Sequence, residues 1–346
     1  MDRQTNINRT ASPAENRDCI LQVHGLKTYF HTEEGIVRSV DDVSFSVGRG
    51  KTLGIVGESG CGKSVTSLSV MGLVKCPPGH IEGGEILLDG EDLLKKNDEE
   101  MRLIRGKRIA MIFQEPMTSL NPVFTVGQQI TEALRIHEKI SKQEAKERAI
   151  DMLRMVKIPL PEQRFREYPH QLSGGMRQRV MIAMALCCKP DLLICDEPTT
   201  ALDVTIQAQI LNLINELKET LGTSVIMITH DLGVIAEVAD DVMVMYAGKV
   251  VEQASCDDIF DKPLHPYTSG LMKCIPRLDD DVEELSVIKG TVPAFDQMPK
   301  GCAFCPRCPY AAPLCEQEMP PLAQYEGRLV RCFRYTDRWE DKTDGK

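Results

Sequence analysis

The segment Gly57-Glu-Ser-Gly-Cys-Gly-Lys-Ser64 is the part of the sequence that says most about the fold of this chain. It follows the apolar run Leu53–Val56, which predicts a strand, and precedes Val65–Met71, which predicts a helix. Glycines let backbone N–H groups converge on phosphate oxygens, and the start of the next helix adds a favourable dipole. Lys63 can reach the β and γ phosphates of a nucleotide, and Ser64 can bind Mg²⁺. The residues expected to contact nucleotide are Gly57, Ser59, Gly60, Cys61, Gly62, Lys63 and Ser64.

A second strand, Asp191–Asp196, carries an acidic pair at its end. This apolar run lies between Pro190 and Pro198, as expected of a buried parallel strand. Asp196 is placed to hold the Mg²⁺ shell, and Glu197 can polarise an attacking water. Downstream, Asp203 is predicted to cap a helix that Gly222 ends. The strand Val225–Ile228 would then complete a β-α-β unit, so the sequence predicts an α/β fold with parallel strands.

The rest of the chain divides into segments that differ in composition and in hydrophobic pattern. Residues 1–18 are polar and predict a flexible tail, whereas residues 20–56 alternate in short apolar runs that predict strands and hairpins. Residues from about 115 to 185 predict a mostly helical insert, with a capping box at Ser141-Lys-Gln-Glu144. Prolines, acidic residues and cysteines dominate after Lys273, and we predict a domain boundary near residue 275.

Composition narrows the class of protein. The 346 residues suit about two domains, and no apolar run approaches the roughly 18–20 residues that a membrane span needs. The net charge of −10 argues against a nucleic-acid partner, because phosphate binding usually needs a basic surface. Eight of the 13 cysteines are scattered and predict buried small apolar residues. The other five crowd into residues 302–332 and need a separate explanation.

The segment Leu172-Ser-Gly-Gly-Met-Arg-Gln-Arg179 closely resembles the signature of the ATP-binding-cassette family. The resemblance implies a phosphate-loop NTPase domain over residues 19–275. Its parts would be a RecA-like core, an antiparallel β subdomain and a helical subdomain at about 115–185. It also implies a dimer in which Ser173, Gly174 and Gly175 of one subunit close over the nucleotide of another.

Other motifs of the family occur in order. Gln114 matches the glutamine that senses Mg²⁺ and the water, and His230 matches the histidine that contacts the γ phosphate. Asp203 lies in the segment that resembles the loop crossing the dimer interface. Tyr29 matches the aromatic residue that stacks on adenine, although the adjacent Phe30 could serve instead. Cys61 departs from the usual serine and leaves a thiol that could be sensitive to oxidation.

Further segments resemble ATPases of the oligopeptide and dipeptide (also nickel) importers. These segments are Ser119-Leu-Asn-Pro122, Leu264-His-Pro-Tyr-Thr268 and the cysteine-bearing region 276–346. The resemblance implies a subunit on the cytoplasmic face of the inner membrane that powers peptide import. Its partners would be a second, sister ATPase subunit, two transmembrane permease subunits and, indirectly, an external solute-binding protein. The solute itself stays open between dipeptide, oligopeptide, nickel and others.

For the late cysteines the family pattern implies a [4Fe-4S] cluster. Its ligands would be Cys302, Cys308, Cys315 and Cys332, with Cys305 as a spare. Zinc and free buried thiols are the alternatives, since several thiols close together suit a soft metal. Two other functions are alternatives to transport. They are a cassette ATPase acting on DNA or ribosomes, and a redox regulator governed by the cysteines.

Overall fold

The computed structural model describes residues 18–114, 120–200, 203–274, 287–294 and 297–339. These residues form two sheets with helices packed around them. The strands are β1 (Cys19–Thr32), β2 (Gly35–Gly48), β3 (Thr52–Val56), β4 (Gly79–Leu88), β5 (Glu91–Asp92), β6 (Ile109–Ile112), β7 (Leu192–Asp196), β8 (Ser224–Ile228), β9 (Asp241–Tyr246), β10 (Lys249–Ser255), β11 (Ala323–Tyr325) and β12 (Arg328–Val330).

The larger sheet has the strand order β11-β12-β10-β9-β3-β8-β7-β6. Its centre, β9-β3-β8-β7-β6, is parallel, whereas β10, β12 and β11 extend it in antiparallel fashion. Every residue of β3, β7 and β8 is buried. Burial on both faces explains why these strands read as continuous apolar runs in the sequence.

The smaller sheet is antiparallel, with the order β2-β1-β4-β5. Its inner face packs on β3, so that buried residues of both sheets, such as Val23, Val43 and Ile55, belong to one apolar core. The predicted antiparallel β subdomain and parallel core are therefore confirmed, and the phosphate loop leaves β3 at their junction.

Helices cover the parallel sheet, and those between residues 120 and 186 build the predicted helical subdomain. They are α1 (Lys63–Val70), α2 (Asp98–Ile104), α3 (Val126–His137), α4 (Lys142–Met155), α5 (Pro161–Arg164), α6 (Gly174–Leu186), α7 (Val204–Leu221), α8 (Leu232–Val238), α9 (Cys256–Asp261), α10 (Pro266–Lys273) and α11 (Pro313–Gln317). Ser141 caps α4 by accepting a hydrogen bond from the backbone N–H of Glu144 at 3.1 Å, which is one of the two bonds of the predicted capping box.

The β7-α7-β8 unit confirms the β-α-β prediction. Asp203 caps α7 by accepting the N–H of Ile206 at 2.9 Å, and Gly222 ends it at φ 70°. The inward face of α7 is buried at Ile210, Leu213, Ile214 and Leu217, while Ile206 is half-buried. The parallel pairing of β7 with β8 follows from this connection.

The cysteine-bearing region joins the main sheet. β12 pairs with β10, with Val330 opposite Glu252, so these residues share the scaffold of the rest of the chain. The boundary predicted near residue 275 falls at the edge of residues 275–286, which lie outside the described residues, as do the tail at 1–17 and Ser119. Among the described helices, none combines the length and apolar character needed to cross a membrane.

Replacement of Ile214 by alanine tests the packing of α7. This side chain is 1% exposed, so we expect the free energy of unfolding to fall by about 2–5 kcal/mol. Val204→Ala is the matched control, because Val204 lies on the same helix and is 83% exposed. The free energy of unfolding of this control variant should change by no more than about 0.5 kcal/mol. Urea denaturation followed by circular dichroism measures both, and equal losses would contradict the assigned face.

Candidate nucleotide site

One edge of the parallel sheet gathers the residues that the sequence singles out. The phosphate loop follows β3, Gln114 follows β6, Asp196 ends β7 and His230 follows β8. The carboxyl ends of parallel strands meet at the same edge, which is where open α/β sheets bind ligands. The topology thus brings together side chains that are distant in sequence.

The phosphate loop is held by two close approaches of backbone to backbone. A side chain at Gly57 (φ 153°) would place its Cβ 2.3 Å from the carbonyl oxygen of Met245. At Gly62 (φ 103°) the Cβ would lie 2.2 Å from the carbonyl oxygen of Ser39. Both positions therefore require glycine, and they fix the loop against strand β9 and strand β2.

Lys63 is buried within the loop itself. Its Nζ donates to the carbonyl oxygens of Gly57 at 2.7 Å and Glu58 at 3.1 Å. The same nitrogen lies 3.9 Å from the sulfur of Cys61, which is fully buried. Burial raises the pKa of the Cys61 thiol, so the thiol is held in its neutral form. The expected sensitivity to oxidation does not fit this setting, because the thiolate is the reactive form.

Ser64 and Asp196 form an oxygen pair beside the loop. The Ser64 hydroxyl donates to Asp196 Oδ1 at 3.0 Å, and Asp196 is only 5% exposed. Burial raises the pKa of Asp196, which the hydrogen bond from Ser64 only partly opposes. A buried carboxyl beside a hydroxyl is the kind of hard oxygen donor that Mg²⁺ prefers, so this pair fits the cation.

Glu197 is the centre of the hydrogen-bond network at this edge. Its Oε2 accepts from Gln114 Nε2 at 2.9 Å and from the hydroxyl of Thr200 at 2.9 Å. Its Oε1 lies 3.3 Å from Nδ1 of His230. Burial acts to raise the pKa of Glu197, but the hydrogen bonds of Thr200 and His230 outweigh it, and the net pKa is lowered.

The backbone of Glu197 adopts φ 47°, in the left-handed region. A bulky residue there is strained, and such strain persists only where the surrounding structure enforces it. Here the N–H of Glu197 donates to the carbonyl oxygen of Ile228 at 2.9 Å, and its carbonyl accepts from Thr200 at 3.2 Å. The turn directs the carboxylate of Glu197 towards Gln114 and His230.

The signature residues make local contacts. Ser173 caps α6 by accepting the N–H of Met176 at 3.3 Å, and Gly174 and Gly175 form the first turn of that helix. Asp203 likewise serves as the cap of α7. The roles across a dimer interface that the resemblance implies for these residues stay predictions.

Tyr29 lies on β1, where Arg38 is its partner on β2. The guanidinium of Arg38 stands 5.6 Å from the centre of the Tyr29 ring, and the hydroxyl donates to Asp41 at 2.7 Å. Burial and this bond to Asp41 raise the pKa of Tyr29 to about 12. Its stacking on adenine remains a prediction, as does the alternative at Phe30.

The cysteine-bearing region holds its thiols around one small cavity. Cys302, Cys305, Cys308, Cys315 and Cys332 all line this cavity, whose volume of about 20 Å³ would hold about one water molecule. Burial, with mutual repulsion between thiolates, raises the pKa of Cys302 to about 11 and that of Cys332 to about 12. In the described part of the chain, no group of three or more Cys, His, Asp or Glu residues is arranged to hold a metal ion.

All thirteen cysteines are free thiols. Of the eight scattered ones, Cys61, Cys187, Cys195 and Cys256 are buried as predicted. The prediction is wrong for Cys76, which is exposed beside His80, with its sulfur 3.5 Å from the ring Nδ1.

Several residues at the site escaped the sequence analysis. Thr200 lies three residues after Glu197, so its hydrogen bond to Glu197 could have been suspected from the sequence. The contacts of Glu58 with Tyr267 and Arg307 join positions 209 and 249 residues apart, and no local pattern signals them.

Fold and geometry together define a phosphate-loop NTPase, and comparison with known proteins identifies the family. The family model described as "ABC transporter" matches residues 40–200, and that of the "Oligopeptide/dipeptide transporter, C-terminal region" matches residues 251–315. This chain belongs to the ABC transporter family and is one of its ATPases, acting on ATP with Mg²⁺.

Relatives match over nearly the whole chain. The oligopeptide transport ATP-binding protein AppD of Bacillus subtilis is 53% identical, covering 94% of this chain and 99% of its own length. OppD of Escherichia coli, an oligopeptide transport ATP-binding protein, is 50% identical over 92% of this chain and 94% of its own.

Solved cassettes share the fold. A dimeric ATP-binding cassette in a post-hydrolysis state, bound to ADP and Pi, superposes with a TM-score of 0.61 at 28% identity. It covers 68% of this chain and 98% of its own. CbiO1 of Clostridium perfringens, part of the complex cbiONQ, has a TM-score of 0.60 at 28% identity, covering 71% of this chain and 92% of its own.

Thr200→Val tests the hydrogen bond that lowers the pKa of Glu197. Without the hydroxyl, the pKa of Glu197 should rise, so Glu197 becomes protonated at a higher pH. We expect the acid limb of the ATPase pH profile to shift upwards by roughly half a unit or more. Thr200→Ser keeps the hydroxyl and is the matched control. An acid limb that stays in place in the valine variant would show that this bond does not set the pKa.

Proposed function

We propose that this chain powers a membrane importer of peptides by hydrolysing ATP at an interface between two cassette subunits. The main support for this reaction is that the carboxylate of Glu197 is contacted by three side chains, those of Gln114, Thr200 and His230. That carboxylate is kept ionised by its lowered pKa, as a base for the attacking water must be.

Each residue of this edge has a distinct role in the proposal. Lys63 leaves the loop carbonyls to contact the β and γ phosphates, which replaces two neutral acceptors by stronger anionic ones. Ser64, Gln114 and Asp196 would hold Mg²⁺, which neutralises phosphate charge when bound. Glu197 orients and activates water, and His230, with a side chain 68% exposed, is free to turn towards the γ phosphate.

The second subunit supplies the other wall of the site. Ser173, Gly174 and Gly175 stand at the N-terminus of the 13-residue helix α6, where backbone N–H groups and the helix dipole favour an anion. In the proposed dimer this helix start faces the γ phosphate bound to the partner. A dimeric state of a cassette with ADP and Pi supports the arrangement. A sister chain or a second copy can fill the partner's place.

Two permease subunits are the proposed membrane partners, with this chain bound at the cytoplasmic face of the inner membrane. Val123 and Phe124, which are 70% and 46% exposed, start the helical subdomain close in sequence to Gln114. An exposed apolar surface there suits docking by a membrane partner. The net charge of −10 argues against the alternative of a cassette ATPase that acts on DNA or ribosomes.

Peptides are the proposed solute. The match of the C-terminal region to oligopeptide/dipeptide transporters and the names of the relatives AppD and OppD support this choice. The solute would reach the permease from an external binding protein, which this ATPase does not contact directly. A nickel or other solute importer is the alternative, and uptake of labelled peptide against ⁶³Ni by the assembled transporter separates the two.

Glu197→Gln is the central test of the mechanism. The amide cannot act as the base, so we expect turnover to fall by about 10²–10⁴ while ATP binding persists. ATPase assays and nucleotide binding on the assembled complex measure the two effects. Glu219→Gln is the control, because Glu219 is exposed near the C-terminal end of α7; it should leave turnover and ATP binding unchanged. Unaltered hydrolysis in Glu197→Gln would contradict the assigned base.

We further propose that the cysteine cavity receives a structural [4Fe-4S] cluster. The support is that five thiols line one cavity, because thiolates are the ligands of such clusters. The proposal requires the thiols to rearrange, since a cavity of about 20 Å³ is too small and the described residues offer no ready ligand group. All five cysteines line the cavity, so their positions do not distinguish the spare Cys305 from the proposed ligands, which are Cys302, Cys308, Cys315 and Cys332.

Anaerobic purification followed by iron, sulfide and zinc analysis tests this proposal. We expect about four irons per chain and a brown preparation for the unmodified protein. Cys332→Ala should lose the iron, whereas Cys305→Ala should retain it. Zinc alone, or no metal, would overturn the cluster, and iron loss in Cys305→Ala would overturn the choice of ligands. A redox-regulatory role would need removal of the cluster to alter transport while the fold persists.

A further inference from the structure

The turn that bears Cys305 and Cys308 lies against the phosphate loop. Arg307, between these cysteines, donates from Nη1 to both carboxylate oxygens of Glu58, at 3.0 and 3.1 Å. Glu58 is the second residue of the phosphate loop, and 249 positions separate the pair in sequence. The cysteine-bearing region therefore contacts the phosphate loop directly.

Arg307 is fixed on every side. Its side chain is 5% exposed, and its Nε and Nη2 donate to the carbonyl oxygens of Lys289 at 3.1 Å and Ile288 at 3.3 Å. Burial alone would lower its pKa, but the hydrogen bonds with Tyr246 and Glu58 outweigh this effect, and the pKa is raised. Arg307 is thus a buried cation, held by several hydrogen bonds, that presents its planar guanidinium group to Glu58.

Glu58 is held at its backbone as well. Its N–H donates to the hydroxyl of Tyr267 at 2.9 Å. The ring of Tyr267 packs on Tyr246 and Phe304, with ring centres 4.7 and 5.4 Å away. The carbonyl oxygen of Glu58 accepts from Lys63. Elements beyond β10 therefore restrain both the side chain and the N–H of Glu58, and these two contacts do not depend on Lys63.

We propose that Arg307 is a positioning residue of the phosphate loop, through which the cysteine-bearing region sets the affinity of the loop for nucleotide. The inference rests on the proposed function, in which this loop binds ATP. A loop held in its binding conformation loses less conformational freedom when phosphate arrives, so its affinity is higher. Arg307 has its contacts with Glu58, Tyr246 and residues 288–289, so it acts on binding rather than on the activation of water.

The test uses Arg307→Gln, Glu58→Gln and the double variant in the assembled transporter. The dissociation constant for a fluorescent ATP analogue is measured together with KM and kcat for ATP. Each single change should raise the dissociation constant and KM by about tenfold, with kcat at saturating ATP nearly unchanged. The double variant should be no weaker than either single variant, because both remove one shared contact.

Arg338→Gln is the matched control. Arg338 belongs to the same region and pairs with Glu318 at 2.7 Å, but this pair is exposed and involves no phosphate-loop residue. It should leave the nucleotide affinity and the kinetics unchanged. An equal effect of Arg338→Gln would show that general loosening of the region is responsible, and would overturn the proposal.

Other outcomes are equally decisive. Unchanged affinity in Arg307→Gln and Glu58→Gln, or fully additive losses in the double variant, would overturn the positioning role while leaving the ATPase function intact. If Arg307→Gln does not fold, Glu58→Gln decides alone, because Glu58 is on a loop with its side chain 29% exposed. Failure of the unmodified protein to bind ATP would instead overturn the proposed function, and this inference with it.

Discussion

The hydrogen bonds to the carboxylate of Glu197 link the loops at the carboxyl edge of the parallel sheet. Groups from three loops meet there: Gln114 after β6, Thr200 after β7 and His230 after β8. They can meet only because those strands are parallel neighbours whose carboxyl ends share an edge. The strained turn at Glu197 completes the geometry, since a relaxed backbone would aim the carboxylate elsewhere.

The phosphate loop is under a second constraint, because it lies where the two sheets meet. Gly57 faces the backbone of β9 in the parallel sheet, and Gly62 faces Ser39 of the antiparallel sheet. The cysteine-bearing region adds a third contact through Arg307 and Glu58. A loop that three parts of the molecule hold in common can respond to each of them, which is the basis of the inferred positioning role.

Much of this arrangement could be predicted from the sequence, wherever the signal is local. The β7-α7-β8 unit, the Asp203 cap and the Gly222 end follow from spacing within residues 192–228, and the structure confirms them. The motif resemblance also led to the correct family. The expectations for the cysteines had no such local signal behind them, and the structure does not match them as closely. Cys76 is exposed although cysteine is usually buried, and the late cysteines surround a cavity too small for a cluster as it stands.

Sequence patterns are enough to predict the class of the protein, the order of its elements and the residues able to bind phosphate. These depend on short-range rules, since periodicity, caps and glycine loops each act over a few positions. Three features emerge only from packing: Thr200 supports Glu197, β12 extends the main sheet, and Arg307 binds Glu58. The last pair lies 249 residues apart, and side-chain contacts at that separation arise from packing, which no local pattern of residues encodes.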